Sequence, residues 1–161
     1  MVRWIIYVLC VLRFAEAEPL FVSLGSHCEV AIQLRDHGFR THAYPFDWLI
    51  SLNHERLIAL LDEDFRFFLD GNCFACAPTP GVVENICYEM EFRHDWPFSD
   101  HQTNPSRTEK QLQCIQQKYA RRVDRFREIR KHVGPVFFIR VAYDFQNGGD
   151  NYWWSEKYAH I

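Results

Sequence analysis

The chain has 161 residues, of which 48% are hydrophobic and 16% aromatic. A chain of this length and composition can bury one hydrophobic core, which excludes a disordered protein and predicts a single domain. Its formal net charge of -3 gives no reason to expect nucleic acid as a partner.

Residues 1–17 have the pattern of a cleavable secretion signal. Arg3 precedes an apolar run, Trp4 to Leu12, and Ala15 and Ala17 place small residues where a signal peptidase reads the chain. The run is too short to span a bilayer as a helix. The alternatives are an additional N-terminal strand or a start codon assigned too early. We therefore expect residues 18–161 to form one secreted or extracytoplasmic domain without membrane contact, a cytoplasmic location being the alternative.

The first predicted element of that domain is a strand that runs into a helix. Leu20 to Leu24 is a short apolar run, and Gly25 favours a tight turn after it. Ser26 and Glu29 have the spacing of a capping box, which predicts a helix with Ser26 as its N-cap. Cys28 then falls in the first helical turn, where the helix dipole lowers a thiol pKa and favours a nucleophile. The structural alternative is a small buried apolar residue.

The middle of the chain predicts one more helix, a loop and a strand. Asn53 is suited to cap a helix whose buried stripe consists of Leu57, Ile58, Leu60 and Leu61. Residues 70–85 contain glycines and prolines and predict a loop. Ile86 to Arg93 alternates apolar and polar side chains, which predicts a strand with one buried face, and His94 continues the apolar side.

A long helix and a buried strand follow. Ser106 and Glu109 form a second capping-box pattern, and the apolar spacing predicts a helix to about His132. The opposite face is strongly basic, and we interpret it as solvated. Val136 to Tyr143 is an apolar run broken by Arg140, which is typical of a strand covered on both sides.

The order of these elements predicts an α/β protein with three layers and a short, mostly parallel sheet. Ligands in such folds bind beyond the carboxyl ends of the strands. Cys28 follows the first strand, His94 and Asp95 follow the second, and Asp144 follows the third, so parallel strands would bring all four to one edge. The hypothesis is covalent catalysis in which Cys28 attacks, His94 takes its proton, and Asp144 or Asp95 orients the imidazole.

Five further residues are candidates for binding. Backbone N–H groups from Ser26 through His27 to Cys28 would bind an oxyanion. Pro45 stops any helix and favours an extended Tyr44 before it. Trp48 is interpreted as a core aromatic, and Asp47 is either a solvated turn residue or an orienter of an Arg or His. Arg35 points toward solvent or toward a carboxylate.

The remaining cysteines favour disulfides over a metal site. Signal cleavage would remove Cys10 and leave five cysteines, which allow two disulfides and one thiol, with Cys28 as the natural unpaired residue. Cys73 and Cys76 have CxxC spacing but lie in a loop, so a redox motif is not expected. A zinc site of Cys73, Cys76, Cys87 and Cys114 is conceivable, whereas structural disulfides or buried thiols are favoured. We expect no metal and no cofactor.

Four segments resemble blocks of the papain-like cysteine peptidase family, a domain family with SLGxxC and PFDW motifs. The segments are SLGSHCEVAIQLR, AYPFDWLI, YEMEFRHDWPF and VFFIRVAYD, and the similarity runs from about Phe21 to Asp144. The resemblance implies a cysteine peptidase with a papain-like α+β fold, which is the alternative to the α/β class that the pattern favours. It also implies further strand and helix after the point where this sequence stops.

The predicted function is therefore that of a cysteine peptidase or thiol-dependent acyl hydrolase or transferase, acting on a peptide, acyl or glycan substrate. Two other classes stay open. One is a non-catalytic binding domain for a glycan or peptide, in which Cys28 is structural. The other is an esterase-like hydrolase that uses Ser26 or Ser23, although the sequence lacks a Gly-Asp-Ser motif.

Overall fold

The computed structural model describes residues 17–76, 82–95 and 105–141. The elements in chain order are β1 (Leu20–Ser23), α1 (Glu29–Asp36), α2 (His54–Asp62), β2 (Phe74–Cys76), β3 (Val83–Asn85), β4 (Met90–Glu91), α3 (Pro105–Glu128) and β5 (Val136–Ile139). Short 3-10 helices lie at Gly71–Cys73 and Ile129–Lys131. Within these three ranges, no helix is both long and apolar enough to cross a membrane.

Strands β1 and β5 form a parallel pair although most of the chain separates them. Leu20 pairs with Val136, and the register continues to Ser23 with Ile139. Parallel strands must be joined by a crossover, and here the crossover includes all three helices. The strands predicted at Leu20 and at Val136 are thus confirmed, and the carboxyl ends of β1 and β5 meet at one edge of the pair. The prediction that β5 is covered on both sides is wrong, because Phe137 and Phe138 are 49% and 50% exposed.

A second, antiparallel sheet of β2, β3 and β4 replaces the single strand expected over 86–93. The alternating segment is a turn over residues 86–89, where Glu89 has a φ of 53°, and only Met90–Glu91 is a strand. Two constraints impose the turn: Cys87 is bonded to Cys73, and the Asn85 side chain accepts the N–H of Tyr88 over 2.9 Å. The predicted loop over 70–85 likewise contains β2 and β3.

The described residues thus combine helices, one parallel strand pair and one three-stranded antiparallel sheet, which is compatible with an α/β or an α+β fold. An isolated bridge between Ile50 and Glu91 joins the antiparallel sheet to the segment before α2. This bridge brings β4 close to the region that follows β1.

The main core lies where α2 and α3 pack over the PFDW segment and β4. Its fully buried side chains include Phe46, Leu49, Leu60, Phe68, Met90, Phe92 and Tyr119. Asn53 caps α2 as predicted, accepting the N–H groups of Glu55 and Arg56. The predicted buried stripe is correct for Leu57 and Leu60 but wrong for Ile58, whose side chain is 57% exposed.

The predicted buried face of the long helix is confirmed at Ile115, Tyr119, Val123 and Ile129. The helix begins at Pro105, so Ser106 lies inside it and is not its N-cap. Helix α3 then gives way to the 3-10 turn Ile129–Lys131.

The cysteines divide into one disulfide and two free thiols in the described part of the chain. Cys73 and Cys87 are bonded, with an S–S distance of 2.08 Å, so they are unavailable to a four-cysteine zinc site. Cys28 is free and buried, and Cys114 is free and exposed. The side chains of Cys10 and Cys76 lie outside the described residues.

Candidate functional site around Cys28

The turn between β1 and α1 has an unusual backbone. Gly25 and Ser26 are both left-handed, with φ of 74° and 81°. A left-handed serine costs about 1–3 kcal/mol and persists only where its surroundings hold it. The predicted capping box is wrong, because Cys28 occupies the N-cap position of α1 without a side-chain cap bond. The Ser26 hydroxyl instead lies 3.4 Å from His27 Nδ1.

Cys28 stands at the start of α1 directly after this turn. Its side chain is 5% exposed, and burial raises the pKa of the thiol, which the Cys28 backbone N–H and the charge of Arg93 only partly oppose. Glu29 adds to the upward shift of this pKa. The expectation of a lowered thiol pKa is therefore wrong for this structure, because desolvation outweighs the helix terminus. The resting thiol is protonated at neutral pH.

Charged groups from three elements surround His27. Burial is the main cause that lowers the pKa of its imidazole, followed by the positive charge of Arg93. Glu29 and Glu91 act in the opposite direction, and Arg140 adds to the lowering. His27 is therefore a neutral imidazole at pH 7, one residue from the thiol.

The PFDW segment packs against the turn. A side chain at Gly25 would meet the Phe46 carbonyl at 3.2 Å, so the two backbones are in close approach. Asp47 is buried, pairs with Arg40 over 2.8 Å and accepts the N–H of Tyr44 over 3.0 Å. Burial nevertheless raises the pKa of Asp47, with the Tyr44 N–H and Arg40 opposing it. Asp47 is thus buried and paired with Arg40, so it is not the solvated turn residue that was one of the two alternatives.

The structure places His94 beside Trp48, with 5.7 Å between the ring centroids and the planes at 74°. The Arg40 guanidinium lies over the Trp48 indole at 5.4 Å. His94 is exposed and follows β4, which is antiparallel to its neighbour. It therefore reaches this region through the Ile50 bridge and Trp48, not through a parallel strand end. The pairing of His94 with Cys28 stays a prediction.

The Asp95 side chain is bonded to α3. Its carboxylate binds Lys118 and accepts the Tyr119 hydroxyl over 2.7 Å, and the Asp95 side chain is 5% exposed. These bonds occupy the carboxylate in a structural network. Asp144, the other predicted orienter, lies outside the described residues.

Of the other predicted binding residues, Arg35 pairs with Asp36 on the exposed face of α1, over 2.8 Å. The Ser26 N–H, predicted as an oxyanion donor, already donates to Ser51 Oγ over 3.1 Å. In the ranges that the structure describes, no group of three or more His, Cys, Asp or Glu side chains could hold a metal ion.

Three neighbours of the turn were not predicted from the sequence. Ser51 bonds Ser26, Arg140 bonds both Leu24 and Ser51, and Arg93 acts electrostatically on Cys28. Arg140 was the one detectable signal, because it interrupts an apolar run that was predicted to be a buried strand.

No solved structure matches this chain. Among curated proteins, the chain is 26% identical over 141 residues to Uncharacterized protein R408 of Acanthamoeba polyphaga mimivirus. The alignment covers 76% of this chain and 61% of that protein. Residues 19–148 match the family model described as "Putative papain-like cysteine peptidase (DUF1796)", and the chain belongs to this family.

Proposed function

We propose that the protein is a thiol-dependent acyl hydrolase or transferase of the cysteine peptidase type, with Cys28 as the nucleophile. The observation that carries this proposal is the position of the free Cys28 thiol. It lies at the start of a helix, directly after a strained strand-to-helix turn, with an imidazole at the preceding residue and the charge of Arg93 acting on it. An adjacent general base is one of the means by which a nucleophile of covalent catalysis is activated.

The reaction balances with water as the second substrate. The Cys28 sulfur attacks the acyl carbonyl as its proton passes to a base, and the carbonyl bond to the amine or alcohol then breaks as that group takes the proton. Water next attacks the thioester, releasing a carboxylic acid and restoring the thiol. An amine or alcohol in place of water gives transfer.

The base must act when substrate binds, because the resting thiol is protonated. His94 is the proposed base, packed on Trp48 with its ring exposed to an incoming substrate. His27 is the alternative, since its imidazole is neutral and adjacent. Asp144 remains the proposed orienter because Asp95 is bound to α3.

Secretion remains part of the proposal. The Cys73–Cys87 disulfide supports an oxidising compartment, where such bonds persist. The proposed signal over residues 1–17 would direct the chain there. The proposed partners are a peptide, acyl or glycan substrate, with no nucleic acid.

A second candidate function has its own observation. Ser26 is a non-glycine residue in the left-handed region between a strand and a helix, and its hydroxyl lies 3.4 Å from His27 Nδ1. Serine hydrolases present their nucleophile on a strained turn of this kind. Ser26 is 2% exposed, however, against 5% for Cys28.

The test is acyl-enzyme capture with nitrophenyl esters, thioesters and fluorogenic peptides, read by mass spectrometry of the labelled peptide. We expect the adduct on Cys28, and Cys28→Ala to lower turnover at least about 10³-fold. Cys114→Ser is the matched control, because it removes the exposed free thiol and should leave turnover unchanged. Ser26→Gly removes the second candidate's hydroxyl without left-handed strain, and an adduct on Ser26 would transfer the assignment. Full turnover by Cys28→Ala would refute the proposal.

A further inference from the structure

A pair of hydrogen bonds fixes the backbone of Ser26. The Ser26 N–H donates to Ser51 Oγ over 3.1 Å, and the Ser51 N–H donates to the Ser26 carbonyl over 3.1 Å. Both residues are almost completely buried. Ser26 therefore cannot leave its left-handed conformation without breaking both bonds.

Arg140 connects the same group to the end of β1. Its Nη1 donates to the Leu24 carbonyl over 2.8 Å and to Ser51 Oγ over 3.1 Å. Its Nη2 donates to the Ser51 carbonyl. The Arg140 guanidinium thus binds both Leu24, which precedes Gly25, and Ser51, which is bonded to Ser26.

The arrangement is specific to a guanidinium and a hydroxyl. Arg140 Nε is buried and has no hydrogen-bond partner in the described ranges. The hydrogen bonds that hold the side chain are therefore those of its two Nη groups. A Cβ atom at Gly25 would lie 2.9 Å from Ser51 Oγ, so the hydroxyl also sits directly against the turn. A lysine would present its donors from one point and could not span both sets of acceptors.

We propose that Ser51 and Arg140 are positioning residues for Cys28, holding the Gly25–Ser26 turn in the conformation that presents the sulfur to the acyl carbonyl. The inference rests on the proposed function for its catalytic meaning. Neither residue touches the sulfur in this structure; both act through the backbone of the turn.

Two variants test the proposal, with Arg121→Gln as the matched control. Ser51→Ala removes the hydroxyl that accepts from both Ser26 and Arg140, and it changes no charge. Arg140→Lys keeps the positive charge but removes the paired Nη donors of the guanidinium. Arg121 is exposed on α3, so Arg121→Gln loses a surface charge without touching the turn. The full chain is used, and circular dichroism first shows that each variant is folded.

The first readout is the rate of Cys28 alkylation by iodoacetamide as a function of pH, followed by peptide mapping. It needs no enzyme activity. We expect Ser51→Ala and Arg140→Lys to raise the rate about tenfold and move its pH midpoint down, because a loosened turn exposes the thiol. The charged groups that act on Cys28 or on its neighbour His27, which are Glu29, Glu91, Arg93 and Arg140 itself, keep their charge in both variants.

The second readout is turnover. We expect kcat to fall about 100-fold with KM changed less than about threefold, because a misplaced nucleophile affects the chemical step more than binding. Alkylation profiles of both folded variants that overlay the wild type would overturn the inference. Altered profiles in a protein without turnover would instead show that the positioning is right and the proposed function wrong.

Discussion

The imidazole of His94 and the indole of Trp48 meet edge to face, with 5.7 Å between their centroids. This contact links the PFDW segment to the turn that follows β4. Trp48 also carries Arg40 on its face, at 5.4 Å. An exposed histidine is thereby given a defined position without a hydrogen bond between these two rings.

Replacing Trp48 should therefore change the orientation of the His94 ring. We expect Trp48→Ala to lower kcat about tenfold because the imidazole loses its packing surface. Trp48→Phe preserves an aromatic surface and should retain most of the activity. Steady-state kinetics and thermal unfolding of both variants check this. Equal kcat values for the alanine variant and the wild type would show that packing of His94 on Trp48 does not affect catalysis.

The thiol of Cys28 should titrate above an ordinary cysteine. Burial raises its pKa and Arg93 lowers it, so Arg93→Gln should move the alkylation midpoint to still higher pH. The unfolded chain ionises its thiol at lower pH than the folded one. Stability should accordingly decline in the wild type, relative to Cys28→Ala, as pH rises from the unfolded-state pKa to the folded-state pKa. Alkylation rates and urea unfolding measured against pH provide both tests.

The Cys73–Cys87 bond closes a short loop, with a sequence separation of 14. Loss of that constraint should lower the free energy of unfolding by about 3 kcal/mol. Urea unfolding of the double variant Cys73→Ala, Cys87→Ala measures the change. Addition of reductant should destabilise the wild type and leave the double variant unaffected; sensitivity of the double variant would point to a different bond.

The buried carboxylate of Asp47 predicts an acid-side effect. Asp47→Asn loses the ion pair with Arg40 and should destabilise the fold by about 2 kcal/mol. Since burial raises the pKa of Asp47, the folded state binds its proton more tightly than the unfolded state. The stability that this proton binding contributes is complete below the pKa of Asp47 in the unfolded chain. It is lost as pH rises through the pKa of Asp47 in the folded state. Urea unfolding measured between about pH 3 and about pH 7 should therefore show the stability of the wild type falling relative to that of the variant, whose amide does not titrate, with a difference of about 2 kcal/mol remaining at neutral pH.

We predict a structural role for Asp95 and a catalytic role for Asp144. Asp95→Asn weakens the bonds to Lys118 and Tyr119, and we expect a loss of about 2 kcal/mol in stability with an unchanged pH profile of kcat. Asp144→Asn should change that profile with little effect on stability. The opposite result would make Asp95 the residue that orients His94.

Several elements could be predicted from neighbouring residues in the sequence alone. The apolar runs at β1 and β5, the Asn53 cap and the apolar face of α3 are all properties of neighbouring residues. Gly38 ends α1 with a φ of 74°, as its position after the last apolar residue indicates. The parallel orientation of β1 and β5 agrees with the expectation drawn from the order of strands and helices along the chain.

Long-range partners explain the parts that could not be predicted. Ile86 to Arg93 alternates as a strand does, but Cys73 and Asn85 bend it into a turn. Ser26 and Glu29 have the spacing of a capping box, but Ser51 holds the backbone in another conformation. Burial around Cys28 likewise reversed the direction of its pKa shift, because desolvation depends on residues far along the chain.

The bond from Arg140 to Leu24 spans 116 positions. During synthesis the ribosome releases β1, the turn and the thiol long before the guanidinium that holds them. The Gly25–Ser26 turn, and with it the position of the proposed nucleophile, is therefore fixed only after almost the whole described domain has emerged.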